Sequence, residues 1–339
     1  MDKKYYLEID LAKGFAIVLA VFGHAAPDAV KDFWIVGQNS ISASMHHLVY
    51  SFHMALFFAC SGFLLYPKLG KAGGVNVEAL KRFKRLMIPY FFLSFLYLAG
   101  KIFGGGLADH QLTDNPIVGI LGGCSPCYGA WFLWCLFVMS MVVLCLKKVN
   151  LWVLFGLGGL ISYIPLNIGN SFIGLRNVQV YIMWVVFGCM IHKYYARISK
   201  RINIWLGLIA AIILVFLHLS NNLFETHNHI VSHSIGIIKT ISGIIASYTL
   251  CYMIAVKTIN SFVNKALKIC GDYCMDIYIL SMFVLVPLRI LYVNIGVMNY
   301  IPYYLWLIIA TVLGVILPIC VSKYYVRRTK LLKILLLGG

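Results

Sequence analysis

Asp10-Leu11-Ala12-Lys13-Gly14-Phe15-Ala16-Ile17-Val18-Leu19-Ala20-Val21-Phe22-Gly23-His24 is an apolar run with two charges near its start and an imidazole at its end. A helix needs about 20 apolar residues to cross the hydrocarbon of a bilayer, so a span is expected over 11–30. From Lys13 to His24 the helix turns to within about 20° of three full turns, so both side chains face one side, roughly 16 Å apart along the axis. Lys13 then lies near the cytoplasmic surface and His24 deep in the membrane or in its outer half. An ionisable group at that depth is costly unless it faces a cavity or a partner. The bland alternative has Lys13 snorkelling to lipid headgroups and His24 bonded to a neighbouring helix. The preceding segment is acidic and no small-residue cleavage site follows, so the run is expected to be a retained span and not a cleaved leader.

The rest of the chain agrees with that reading. Of its 339 residues 61% are hydrophobic and only 12% charged, and its mean hydropathy is +0.88. A soluble domain is about 25% charged, and no core could hide this much apolar surface. A soluble enzyme, a secreted disulfide scaffold and a wet nucleic-acid-binding face are excluded. Disorder is excluded by hydrophobicity. Candidate spans follow at 48–66, 86–104, 129–146, 151–166, 178–192, 204–219, 236–256, 273–291 and 302–322.

Charge tests the count of ten. With the N-terminus in the cytoplasm, the inner segments hold Lys3, Lys4 and Lys13, six cations from Lys68 to Arg85, and Lys147 and Lys148. Four more run from Lys193 to Arg201, then Lys257, Lys265 and Lys268, and five from Lys323 to Lys333. That is 23 of the 28 cations, leaving Lys31, Lys101, Arg176, Lys239 and Arg289 outside. Such a bias is the positive-inside signature, and it accounts for the +17 net charge beside anionic lipid without invoking nucleic acid. The expectation is an all-α, polytopic membrane bundle of about ten helices, both termini cytoplasmic, with residues 1–339 forming one membrane domain.

Three further segments carry polar chemistry. In Tyr50-Ser51-Phe52-His53-Met54-Ala55-Leu56-Phe57-Phe58, which runs on to Ser61-Gly62-Phe63, His53 comes to a depth similar to that of His24. The two could form a base-plus-orienter pair, or His53 could be an interfacial histidine. Lys81-Arg82-Phe83-Lys84-Arg85, followed by Pro89-Tyr90, reads either as a topology anchor or as a phosphate clamp, since arginine forks hold phosphate oxygens bidentately. Ala130-Trp131-Phe132-Leu133 opens the fourth span.

Taken in order, these segments resemble the membrane acyltransferase-3 family, nearest a branch similar to fucose 4-O-acetylases, over nearly the full length. The resemblance implies a ten-helix bundle in the bacterial cytoplasmic membrane. It implies transfer of acetyl from cytoplasmic acetyl-CoA to a hydroxyl of a surface polysaccharide or its lipid-linked precursor. In that scheme His24 is the catalytic histidine, and Lys13 handles the donor. Arg82 and Arg85, with Tyr90, bind the CoA end, while His53 and Trp131 line the reaction chamber. Asp10, Ser61 and Asp276 are further candidates for substrate contact, Asp276 also reading as a structural buried carboxylate. The resemblance departs at Gly271-Asp272-Tyr273-Cys274-Met275-Asp276-Ile277-Tyr278-Ile279-Leu280-Ser281, where Ser281 replaces a frequent histidine. The physics fits a division of labour: a polyanionic donor in the cytosol, an acceptor sugar outside, and a neutral imidazole able to take the hydroxyl proton. A covalent acetyl-histidine is the alternative.

Other signals read more blandly. Cys124-Ser125-Pro126-Cys127 has redox-pair spacing in an expected outer loop, where a disulfide is permitted, but no second pair completes a zinc site. His46-His47 and Glu225-Thr226-His227-Asn228-His229 are outer-loop candidates for acceptor contact or for metal, although no metal is expected. Arg176, Lys239 and Arg289 could pair with an anionic glycan or with Asp109, Asp114 or Glu225. Trp34, Tyr128, Tyr303 and Tyr304 read as interface aromatics. Two rival readings share the scaffold: an exporter of glycan or lipid-linked sugar without acyl transfer, and an assembly subunit of a polysaccharide synthase.

Overall fold

A computed structural model describes residues 5–25, 40–70, 74–104, 115–127, 129–166, 168–220, 228–257, 261–293 and 295–339. Every regular element among them is helical. Lys3, Lys4, Lys31, Trp34, Lys71, Asp109, Asp114, Tyr128 and Glu225 to His227 lie outside the described residues. The helices gather in two compact units, residues 1–57 with 196–321, and residues 58–195 with 322–339.

The first unit is built round α1 (Leu7–Ala25). Against it pack α2 (Ser40–Tyr50), α12 (His229–Lys257), α13 (Phe262–Asp272), α14 (Cys274–Val293) and α15 (Tyr303–Val321); α11 (Ile204–Leu219) packs on α12. Leu11, Ala12, Ala16, Ile17 and Val21 of α1 are all buried. The stripe Ala12, Ala16, Ala20 lets neighbours approach, as small residues do between membrane helices. Gly14 and Gly271 lie in reciprocal contact: a Cβ on Gly14 would overlap the Leu267 carbonyl, and one on Gly271 the Asp10 carbonyl. Asn203 caps α11 and Ser261 caps α13 through their side-chain oxygens.

The second unit holds α3 (His53–Leu69) from Phe58 onward, α4 (Gly74–Arg82), a π-helical turn (Phe83–Met87) and α5 (Ile88–Gly104). It continues with α6 (Pro116–Leu121), α7 (Trp131–Cys145), α8 (Leu151–Ser162) and α9 (Ile173–Lys193). A single turn, α10 (Tyr195–Ile198), stands where the chain leaves this unit, and α16 (Lys330–Leu337) returns to pack on α5. Another glycine pair sets α3 against α9: a Cβ on Gly62 would overlap the Val185 carbonyl, and one on Gly188 the Ala59 carbonyl.

Among the described residues, six helical stretches are long and apolar enough to cross a membrane: Ser44–Leu69, Val75–Phe103, Ile173–Lys193, His229–Lys257, Cys274–Tyr292 and Tyr303–Val326. The protein is therefore a multi-pass helical membrane protein. α7, α8 and α11 are apolar but shorter, and α1 carries Glu8, Asp10 and Lys13 in its first turns. Some boundaries differ from the expected ones. The chain is already helical from Ser40, where an outer loop was expected to 47, and α12 starts at His229, inside another expected outer loop. The expected inner connections after the second and eighth spans contain α4 and α13. These short or amphipathic helices carry too few apolar residues in sequence to register as spans, and tertiary packing supplies their stability.

Candidate functional site

Lys13 and His24 stand on one helix, α1, as the apolar run predicts. At its start, Lys13 Nζ pairs with Asp10 Oδ1 at 2.7 Å, the i,i+3 neighbour on the same face. Close packing of α13 on Gly14 holds that turn in place. Asp10 is thus joined to Lys13, and it lies about 21 Å along the axis from His24. Asp276 lies in the first turn of α14 and is buried, 2% exposed; Ser281, on the same helix, is buried at 3%.

The end of α1 carries the chemistry. The Tyr50 hydroxyl and His24 Nδ1 are 3.4 Å apart, with their rings edge to face. Gly23 makes room for that phenol, since a Cβ there would stand 2.5 Å from Tyr50 Cε2. The Tyr50 ring also stacks on His46 at 3.9 Å and lies 4.7 Å from the His53 ring. These contacts follow from the break at Ser51–Phe52 between α2 and α3. His46 and Tyr50 are i,i+4 on α2, and His53 opens α3 just past the break. His53 is 2% exposed, and its Nδ1–H donates to the Val49 carbonyl at 2.9 Å. A carbonyl only accepts, so the neutral ring presents Nε2 as an acceptor.

His24 and His53 are therefore both present, but no hydrogen bond joins them among the described residues; Tyr50 stands between. The sequence reading missed Tyr50 as a site residue and left His46 in a loop. Continuing the helical spacing backward from Tyr50 would have found both.

The donor-side candidates other than Lys13 lie in the second unit. Arg82 ends α4; its Nε donates to Glu78 Oε1 at 3.2 Å and its Nη1 to Ser140 Oγ at 2.9 Å. Lys68 Nζ donates to the same Glu78 oxygen at 3.1 Å. Arg85 sits in the π-helical turn and is exposed, as are Lys81 and Lys84. π-Turns recur at functional sites because they re-aim side chains. Here the turn lies against Gly338, where a Cβ would overlap the backbone of Lys84 and Arg85. Thus one arginine is held by protein groups, while the other offers its fork to solvent. Tyr90 is fully buried and its hydroxyl donates to the Ile120 carbonyl at 2.6 Å. Its contribution to this region is to brace α5 against α6.

Trp131, half-buried, opens α7 and stacks on Tyr181 of α9 at 5.8 Å, with Phe58 of α3 6.4 Å away. Together with Phe132 these rings form an aromatic nest, of which Tyr181 was not legible from the sequence. Ser61 is half-buried on α3, one position before the Gly62 crossing.

Cys124 and Cys127 carry free thiols. Burial raises both pKa values, that of Cys127 to about 11. A raised pKa keeps the thiol protonated at neutral pH, and the thiolate is the reactive form. In the folded protein at pH 7.5 the peptide holding these two cysteines is expected to label slowly with iodoacetamide. The rate should rise nearly tenfold per pH unit toward pH 11. Rapid labelling at pH 7.5, read by mass spectrometry, would contradict that environment.

Among the described residues, no group of three or more His, Cys, Asp or Glu is arranged to hold a metal. No curated protein and no solved structure gives a significant match. The profile of one family, described as an acyltransferase domain, matches residues 6–320. That interval runs from the start of α1 to the end of α15 and takes in the imidazole cluster, the arginine turn and the aromatic nest. A half-buried histidine with an orienting hydroxyl and a solvent-facing arginine turn are parts an acyl transfer can use, and on the family match the chain belongs to the acyltransferase 3 family, as a membrane acyltransferase.

Proposed function

We propose that the chain is an integral-membrane O-acetyltransferase of the branch similar to fucose 4-O-acetylases. It moves acetyl from cytoplasmic acetyl-CoA to a hydroxyl of a bacterial surface polysaccharide or its lipid-linked precursor. The observation that carries the reading is His24, at the far end of α1 from the Lys13–Asp10 pair, with Tyr50 on its Nδ1.

In the productive tautomer Nδ1–H donates to the Tyr50 oxygen and Nε2 is the accepting nitrogen. As the sugar oxygen attacks the thioester carbonyl carbon, its proton passes to Nε2. When the C–S bond breaks, the departing thiolate takes that proton. Arg85, exposed, and Arg82 hold the CoA phosphates, and Lys13 assists the donor once Asp10 yields part of its hold. The topology is ten spans with both ends cytoplasmic. It is supported by the 23 of 28 cations on the inner side, with α1, α7, α8 and α11 crossing at their modest lengths. The location is the bacterial cytoplasmic membrane, and the Trp131 nest offers a stacking face to a sugar or adenine ring.

The test is direct. Purified full-length protein in lipid nanodiscs, given acetyl-CoA, is expected to release free thiol. Cells lacking the gene are expected to lose base-labile acetyl from an envelope glycan. A strain whose glycan acetylation is unchanged by the deletion, together with purified protein inert toward acetyl-CoA, would remove the proposal and favour the exporter.

A further inference from the structure

General-base chemistry at His24 handles the proton but not the charge. Attack on the thioester moves the carbonyl electron pair onto oxygen, and in a dry site that oxyanion needs a fixed positive partner. The imidazole cluster does not supply one: the Tyr50 oxygen accepts from His24 Nδ1–H, and a phenol carries no fixed positive charge.

The first unit holds a candidate at the right level. Arg289 lies on α14 and is 7% exposed. α14 runs beside α1 in the same direction, and two contacts fix the register. Near the start of both helices, Cys274 Sγ lies 3.9 Å from the Lys13 carbonyl oxygen. Further along, both helices meet α15 at Gly314, where a Cβ would stand 2.8 Å from Val21 Cγ1 and 3.0 Å from Leu285 Cδ2. Val21 and Leu285 therefore share a level. One turn beyond them come His24 on α1 and Arg289 on α14. At about 1.5 Å per residue, the two advance by roughly 4.5 and 6 Å past the shared level. The guanidinium is also close enough for its charge to act on His24. A buried arginine in a spanning helix is expensive, and such residues mark functional paths.

We infer that Arg289 is the group that meets the negative charge developing on the acetyl carbonyl oxygen. This rests on the assignment of His24 as the base. The hydroxyl oxygen bonds to the carbonyl carbon, its proton goes to His24 Nε2, and the carbonyl pair moves onto the oxygen that faces Arg289. Collapse restores the C=O bond and breaks C–S, and the CoA thiolate leaves with the proton from His24. No further reactant is needed. A guanidinium is suited to the task because it stays charged at every accessible pH and offers planar donors.

The experiment uses full-length protein in nanodiscs with acetyl-CoA alone, water serving as acceptor, so no glycan contact enters the rate. Thiol release is followed, CoA affinity is measured by titration, and folding is checked by thermal midpoint. Arg289→Gln is expected to lower kcat for thiol release by about 10²–10³-fold, the loss typical of one oxyanion donor, with CoA affinity within twofold. Arg289→Lys, which keeps the charge but not the fork, should retain at least tenfold more activity than Arg289→Gln. Thiol release by a folded Arg289→Gln at the unmodified rate overturns the assignment, and if glycan acetylation in cells is then lost, Arg289 binds the acceptor instead. Equal losses in the Gln and Lys variants, tracking a lowered thermal midpoint, also overturn it and leave Arg289 a structural residue. Should Arg289→Gln not fold, an Arg289→Lys variant that folds yet keeps full kcat overturns it alone. His24→Ala separates the two layers. If it removes thiol release while Arg289→Gln does not, only the Arg289 role fails; if it leaves thiol release intact, the base assignment fails with it.

Discussion

His24→Ala is expected to lower acetyl transfer by about 10²–10⁴-fold, the range a positioned general base supplies, while CoA affinity stays within twofold. The imidazole stands at the end of α1 away from the Lys13–Asp10 pair, so removing it leaves the charged end of the helix untouched. Its ring contacts Tyr50 but is not the keystone of the core, since the fully buried residues of α1 are Leu11, Ala12, Ala16, Ile17 and Val21. The variant should therefore fold. Tyr50→Phe gives the contrast: the ring stack on His46 survives and only the hydroxyl is lost. If that hydroxyl merely holds the tautomer, kcat should fall about 3- to 10-fold, the worth of one neutral hydrogen bond. Thiol release and base-labile acetyl on glycan measure both variants. A His24→Ala protein that transfers acetyl at the unmodified rate would exclude His24 as base and turn attention to His53, whose Nε2 is an acceptor with Nδ1 held by Val49.

The order of these effects follows from how each residue could be seen. Lys13 and His24 were legible because a single helix connects them, and helical arithmetic needs no neighbour. His46 was not, because the chain was expected to be a loop until 47, whereas α2 is helical from Ser40; Tyr50 was quoted in the second span, but its partnership with His24 depends on the break at Ser51–Phe52. The arginine turn was visible as a cluster of cations. Its geometry was not: Ser140 reaches Arg82 from α7 beside Glu78 one turn back on α4, and the π-turn that turns Arg85 outward leaves no mark on composition. Arg289 was noticed as a cation on the wrong side of the charge bias but could not be given a role. Its level relative to His24 is set by the meeting of three helices at Gly314, a long-range contact no local pattern encodes. Tyr90, expected at the CoA end, has its hydroxyl on the Ile120 carbonyl, a long-range contact that no local pattern encodes.

Gly188→Val should be the most damaging single change in the second unit. α3 and α9 cross with backbone against backbone, Gly188 on Ala59 and Gly62 on Val185, and the Cys189 thiol donates to the Gly62 carbonyl at 3.2 Å beside the crossing. In a membrane, helices gain little from apolar burial and associate through this kind of close packing. A Cβ on Gly188 would overlap the Ala59 carbonyl and stand 2.8 Å from Phe63 N, so backbone and not a flexible side chain must move. The cost is expected to be on the order of 3 kcal/mol, a loss of roughly 10 °C in thermal midpoint. The same chemistry one helix away should have the opposite sign. On α8, Gly156 and Gly159 have nothing within 4 Å of a Cβ, so Gly156→Ala removes backbone freedom from a helix at no steric cost and should stabilise by about 0.5–1 kcal/mol. Thermal unfolding of the two variants in one detergent decides it. Equal midpoints for Gly188→Val and Gly156→Ala would mean that α3 and α9 do not cross at this distance, and with that the placement of Ser61 beside the crossing would fall.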